Sequence, residues 1–191
     1  MAITYPLAMP DVCRVVTTLP REINAVVVSR SLFTGAQQVL RWPAQSWELD
    51  VTVYPKTIAQ FQEWEAWRTA LCGPAGTFLL GLRGRIKRGS ASAATVTGAA
   101  QSATPTITMT GTLLAGDMIQ IGLGAAATLH RVLASRDGSG QLDIWPALRR
   151  SVSGATVVLD RPQGNFRLAQ SSQEGVARHF DTISFTAMEV I

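Results

Sequence analysis

In SWELDVTVY, apolar and polar positions alternate strictly: Trp47, Leu49, Val51 and Val53 on one face, Glu48, Asp50 and Thr52 on the other. That two-residue period predicts a half-buried antiparallel strand. INAVVVS, from Ile23 to Ser29, is a β-branched run, and TFLLGL follows a Gly-Pro turn. TITMTGT, DMIQIG, TLHRVLA, QLDIWP, ATVVLD, NFRL and FDTISFTAMEVI add closely spaced strand candidates, punctuated by Gly, Pro and Asp-Gly turns. A single stretch has helical period. TIAQFQEWEAWRTALCGP sets Ile58, Phe61, Trp64, Trp67 or Ala70, and Leu71 along one stripe. Thr57 with Gln60 forms a capping box, and Gly73-Pro74 stops the helix. Trp64 and Trp67 read as anchors packed on a sheet, with an exposed ligand platform as the alternative. One helix among roughly ten strands predicts a mainly-β chain.

Two changes of composition suggest where an insertion lies. LRGRIKR, from Leu82 to Arg88, is a basic knot, and the segment after it is nearly all small residues. Charge returns around LRRS and LDRPQG. The chain therefore divides into a first domain of residues 1–88 completed by 158–191, and an inserted β-domain of residues 89–157. The alternating strand DTISFTAMEVI returns the chain to the first domain.

The chain has 191 residues, 47% hydrophobic and 16% charged, which describes an ordered globular protein rather than a disordered one. No apolar run is long enough for a membrane-spanning helix, and MAITYPLAMPDVCRVV lacks the basic-then-apolar order of a secretory leader. Cys13 and Cys72 form no C-x-x-C pair and are expected as free, buried thiols. Seventeen Lys and Arg against thirteen Asp and Glu give +4, a mild basic bias that suits nucleic acid or an acidic protein neighbour equally.

Candidate chemistry is sparse. Gly122, Gly124 and Ala127 match a G-x-G-x-x-A fingerprint, with Asp143 about twenty residues on, where a ribose-binding acid belongs. That motif needs a buried parallel strand and repeated βαβ units. Here Gln120 between Ile119 and Ile121 suits a half-exposed antiparallel strand, and RDGSGQLDIWP carries an Asp-Gly hairpin signal. The glycines are read as hairpin residues. His130 and His179 lie in no metal-spaced cluster, and each is read as a surface or satisfied structural residue. GSG around Ser139 lacks the G-x-S-x-G elbow and reads as a turn. No catalytic residue, cofactor site or metal site is assigned. Single-strand nucleic-acid binding wants several aromatic stacking surfaces, and residues 89–157 hold one, Trp145. The knot of Arg83, Arg85, Lys87 and Arg88 reads as a solvated or subunit-facing linker, and alternatively as a phosphate contact during passage of a nucleic acid.

LLAGDMIQIG, LHRVLA, GQLDIWPALR, PQGNFRLAQ and ISFTAMEVI, with WELDVTVYP, the Trp-rich helix and GPAGTFLLG before them, resemble the distal tail proteins of long-tailed, non-contractile bacteriophages and prophages. The likeness covers the chain from about Trp47 onward and lies in turns and strand residues, not in a catalytic signature. It departs at LRGRIKRG, where family members carry an acidic or proline-containing turn. The resemblance implies a structural, non-enzymatic virion protein at the distal end of the tail, assembled in the host cytoplasm without membrane insertion. It implies a homohexameric ring joining the tail tube protein to the tip or baseplate hub. Its channel would pass the tape-measure protein and then DNA. On that reading the fold is a β-sandwich with one flanking α-helix plus an inserted small β-barrel-like domain: the sandwich forms the ring, and the inserted domain meets an adjoining tail protein or the exterior. Candidate contacts are Arg83, Arg85, Lys87 and Arg88 toward an acidic neighbour, and the small-residue strand near Val96 to Thr110 as an edge. The alternatives are another minor tail-tip or tube-completion protein, and a host-glycan-binding tail module using Trp145.

Overall fold

The computed structural model describes residues 3–10, 14–84, 87–170 and 182–190. The protein is mainly β, with one α-helix among the described residues. Along the chain run β1 (Leu7–Ala8), β2 (Arg14–Arg30), β3 (Gln37–Tyr54), α1 (Ile58–Ala70) and β4 (Phe78–Gly81). β5 (Ser92–Gly98), β6 (Thr106–Thr110), β7 (Thr112–Leu113), β8 (Met118–Ile121) and β9 (Thr128–Val132) follow. β10 (Arg136–Asp137), β11 (Gly140–Gln141), β12 (Ile144–Trp145), β13 (Val152–Val158), β14 (Gln163–Leu168) and β15 (Ile183–Glu189) complete it.

The first sheet has the order β1-β4-β14-β15-β3-β2, with β1 parallel to β4 and the other neighbours antiparallel. The alternation in β3 sets its register. Trp47, Leu49, Val51 and Val53 are all fully buried on one face, and β15 places Phe185 opposite Val51 and Ala187 opposite Leu49. α1 closes this face. Trp64 lies 4.7 Å from Trp67 and 5.4 Å from Phe185, and Trp67 meets Phe78 edge-on at 5.1 Å. Both tryptophans are buried core anchors, and each such side chain contributes about 1.5–3 kcal/mol. Thr57 caps the helix by accepting from the Gln60 N–H at 3.3 Å, and the Gln60 side chain reaches back to the Lys56 N–H at 2.8 Å. At the other end Cys72 takes the left-handed conformation (φ 50°) that turns the chain out of the helix. The Cys72 thiol is consequently exposed, which corrects the expectation of burial; Cys13 lies outside the described residues.

The second sheet has the order β11-β6-β5-β13-β8-β9-β12, all antiparallel, with β7 and β10 paired beside it. Its inward side chains, among them Val96, Ile107, Leu113, Ile119, Ile121, Val132, Ile144 and Val157, converge in one core, so the sheet curls around its own interior. β8 is buried on both faces. Ile119 and Ile121 enter this core, whereas Met118 and, from β9, Leu129 enter the core of the first sheet. Gln120 therefore differs from its sequence expectation: the strand is antiparallel, but the side chain is buried between sheets. Its Oε1 accepts from the Gln163 N–H at 2.9 Å and its Nε2 donates to the Gly122 carbonyl at 2.9 Å. Burial of an amide is tolerated because both ends are hydrogen-bonded.

Candidate docking arm

β2 and β3 are 17 and 18 residues long, roughly three times the usual strand. β15 pairs with β3 only between Glu48 and Val53. Beyond that point the two strands leave the body as a free ribbon, paired only with each other from Val26↔Arg41 to Arg30↔Gln37. An unsupported two-stranded ribbon is marginal in water, and this one exposes apolar side chains on both faces. Val27 and Leu40 stand opposite each other on one face, with Trp42 two positions along; Val26, Val28 and Val39 lie on the other, and all are exposed. Toward the tip the band gives way to the polar pairs Ser29↔Gln38 and Arg30↔Gln37. At the turn Leu32 and Phe33 are 97% and 99% exposed. The turn is nonetheless ordered by local bonds. Ser31 donates its N–H to the Ala36 carbonyl at 2.9 Å and accepts at its carbonyl from Gly35, whose φ of +69° suits glycine. Ser31 Oγ accepts from the amides of Phe33 and Thr34, both at 3.3 Å. From Ile23 to Trp47 the chain has Arg30 and Arg41 and no carboxylate.

The root of the arm is bolted to the second sheet. A register shift between Asn24 and Val26 breaks the β2–β3 ladder where the arm departs. On the body side of that break, Asn24 Oδ1 accepts from Trp145 Nε1 at 2.9 Å, and Gln45 Oε1 accepts from the Ala147 N–H at 3.0 Å. Glu22 pairs with Arg131, whose guanidinium carbon lies 4.9 Å from the Trp47 ring centroid. Trp47 and Trp145 meet edge-to-face at 4.5 Å, and Trp47 Nε1 donates to the Leu129 carbonyl at 2.9 Å. Beneath them lies a buried ion pair. Glu189 Oε2 accepts from Arg149 Nη2 at 2.6 Å and from the Trp47 N–H at 3.0 Å, and Oε1 accepts from the Leu129 N–H at 3.4 Å. Arg149 also donates to the carbonyls of Val190 and Gln45, at 2.8 and 3.2 Å. Burial pushes the Glu189 carboxyl above its ordinary range, and Arg149 with the two amides opposes that shift. His130, one strand position away, is pushed down to about 4 by burial, with the Pro146 carbonyl opposing and Arg149 adding to the shift. Its Nδ1 bonds the Pro146 carbonyl at 2.7 Å and its Nε2 bonds Thr128 Oγ1 at 2.8 Å, so it is a satisfied structural imidazole.

The residues singled out in the sequence have other places. Arg83 is exposed in a turn, and Arg85 lies outside the described residues. Lys87 donates to the Ala91 carbonyl at 2.6 Å. The Arg88 side chain donates to the Ala115 carbonyl and lies 3.6 Å from Asp117, whose carboxylate accepts from the amides of Arg88 and Gly89, both at 3.0 Å. Lys87 and Arg88 thus pin the entry into the second sheet. Val96 is wholly buried on β5, an interior strand, so it presents no edge. Thr110 is exposed at the end of β6, whose outer edge is taken by β11 and by Ser139, which exchanges hydrogen bonds with the Met109 backbone. Trp145 is half-buried in the junction rather than offered as a platform. Gly122 and Gly124 lie in the connection between antiparallel β8 and β9, a hairpin and not a βαβ turn. His179 lies outside the described residues. Among the described residues no group of three or more His, Cys, Asp or Glu is placed to hold a metal ion.

The arm itself was visible in part. INAVVVS marks a strand, but QQVLRW alternates poorly because the ribbon has no buried face to impose a period. The signal that marks it is SLFTGA, two large apolar residues beside a glycine turn between β-branched runs. No protein-family model matches the chain, and no curated protein matches it.

Proposed function

We propose that this chain is a structural assembly subunit, a distal tail protein of a long-tailed bacteriophage whose copies form a ring between tail tube and tip. The observation that carries the reading is the braced, two-faced apolar arm. A ribbon that leaves Val26, Val27, Val28, Val39, Leu40 and Trp42 in water serves a chain surrounded by partners, because burial against them removes the exposed apolar area and open backbone edge. The first sheet leaves two different edges, β2 and β1, which suits heterologous contact of the kind that closes rings. The six-fold count, the tube and hub neighbours and the passage of tape-measure protein and DNA rest on the sequence resemblance. The test is location. A tagged chain imaged in assembled particles is expected at the distal end of the tail, in ring stoichiometry. Label along the tube or on outer fibres, or no chain in purified particles, refutes the reading; label at the extreme tip favours a tip component over a connecting ring.

A further inference from the structure

We infer that the β2–β3 arm swings as a stiff ribbon about a built-in joint, formed by Ala25 on β2 and by Trp42, Pro43 and Ala44 on β3. The inference goes beyond the proposed function and does not depend on it.

Three observations converge on a joint at this point. The first is register. Asn24 faces Gln45, yet the next pair is Val26 with Arg41, so Ala25 alone stands opposite Trp42, Pro43 and Ala44. An ordinary bulge sets two residues against one and bends a strand whose ladder then resumes. Here three stand against one, and Pro43 brings no N–H to the ladder. The backbone bonds that would fix the angle between arm and body are therefore missing where the two meet.

Second, nothing else on the page of the sheet holds the bend. β15 pairs with β3 no farther than Glu48, so the joint has no third strand beside it. Val26 is 44% and Trp42 56% exposed, so no packed core wedges it open or shut. The braces Glu22–Arg131, Asn24–Trp145 and Gln45–Ala147 all grip the body side. Among the described residues, the side-chain hydrogen bonds made between Ala25 and Ala44 stay inside the turn, joining Ser31 to Phe33 and Thr34, and Thr34 to Ala36.

Third, both parts that meet at the joint are stiff. The arm pairs without a break from Val26↔Arg41 to Arg30↔Gln37, and its turn is tied by the bonds of Ser31 with Ala36 and Gly35. The body ladder is equally regular from Thr17↔Thr52 to Asn24↔Gln45. Rotation is thus gathered into the few residues between them, the arrangement of a hinge. From Val26 to the tip the ribbon rises about 24 Å, so a swing of about 20° carries Leu32 and Phe33 roughly 8 Å. The apolar band can then settle on a surface by rotation of the arm alone, on the nanosecond-to-microsecond scale of loop motion, with both sheets unchanged.

The test deletes Pro43 and Ala44, which sets Trp42 opposite Ala25 and carries the arm's register unbroken into the body. The shift is an even number of residues, so every side chain keeps its face. Nitroxide labels are attached at Gln38→Cys on the arm and Glu63→Cys on α1, both exposed positions, in the full chain carrying Cys13→Ser and Cys72→Ser. Double electron–electron resonance reads the spread of distances between them, at a concentration where sedimentation velocity shows a monomer. The undeleted chain is expected to show a spread of about 8 Å beyond that of the labels, narrowed about twofold or more by the deletion. Equal widths in the two proteins, broad or narrow, overturn the inference. Residual dipolar couplings of the unmodified chain decide the matter even where the deletion fails to fold. The arm amides are expected to fit a weaker alignment than the amides of the first sheet, and one alignment common to both overturns the inference as well. Location in the particle is a separate matter: a swinging arm stands even if the chain is absent from the tail, and a fixed arm on a chain at the tail tip refutes only this inference.

Discussion

Replacing Arg149 by Met is expected to destabilise the fold by about 3–5 kcal/mol at neutral pH, because it strands the buried Glu189 carboxylate. The side chain of Glu189 is 1% exposed, and its remaining donors are the amides of Trp47 and Leu129. Met fills much of the volume of Arg, so the loss measures charge and hydrogen bonding rather than a cavity. The pH dependence separates this cause from lost packing. In the variant the folded-state pKa of Glu189 rises further above its unfolded value of 4.5, so the folded state holds a proton that the unfolded state has released. The charge penalty is therefore greatest above the raised pKa and shrinks as pH falls toward 4.5. What remains there is the loss of the bonds to Val190 and Gln45, about 1–2 kcal/mol. Adding Glu189→Gln removes the stranded charge and keeps one acceptor oxygen, enough for one of the two amides, so it is expected to recover part of the loss at pH 7 and to leave about 2–3 kcal/mol. Urea unfolding is followed by tryptophan fluorescence, to which the junction contributes two of the five tryptophans, Trp47 and Trp145. A cost below about 1 kcal/mol, or the same cost at pH 7 and pH 4.5, would show that the ion pair does not hold this junction.

Three further outcomes follow from the same geometry. Because the folded-state pKa of His130 is about 4 against 6.5, its contribution is full above pH 6.5 and is lost as pH falls toward 4, about 3 kcal/mol in all. An imidazole resonance that titrates near 6.5 and is absent from His130→Asn would contradict this, and the same variant is expected to flatten the slope. Trp145→Ala removes the edge-to-face partner of Trp47 and the donor to Asn24, so a loss of about 3 kcal/mol is expected in thermal unfolding, with no change of signal on a glycan array. A Cβ at Gly89 would stand 2.2 Å from the Thr112 carbonyl oxygen, so Gly89→Ala is expected to cost about 2 kcal/mol or more and to loosen the second sheet first, read by amide hydrogen exchange.

The mainly-β class and its one helix were legible because each rests on local period. The alternation of Trp47 to Val53, the stripe through Trp64 and Trp67, and the Thr57 cap all describe a side chain's own neighbourhood. What sequence could not give is pairing at a distance. Gln120 reads as a solvent-facing residue, since nothing in DMIQIG announces that β14 will cover that face. Lys87 and Arg88 read as a free basic patch because their partners, Ala91, Ala115 and Asp117, are met only after the chain folds back. Val96 stands among small residues that suggest an exposed edge, whereas β6 and β13 flank its strand. The arm is the reverse case. Its residues carry no face-defining period, and only coordinates separate a buried β-branched run from one standing in water.

β15 follows the other described strands in the sequence, yet it lies between β14 and β3 and brings Glu189 to the root of the arm. Until it emerges from the ribosome, β3 lacks its inner neighbour and Arg149 has no carboxylate to meet. The root of the ribbon therefore gains the bonds from Glu189 to Trp47 and Arg149 only when synthesis reaches β15, after the contacts with Arg131, Trp145 and Ala147 can already form.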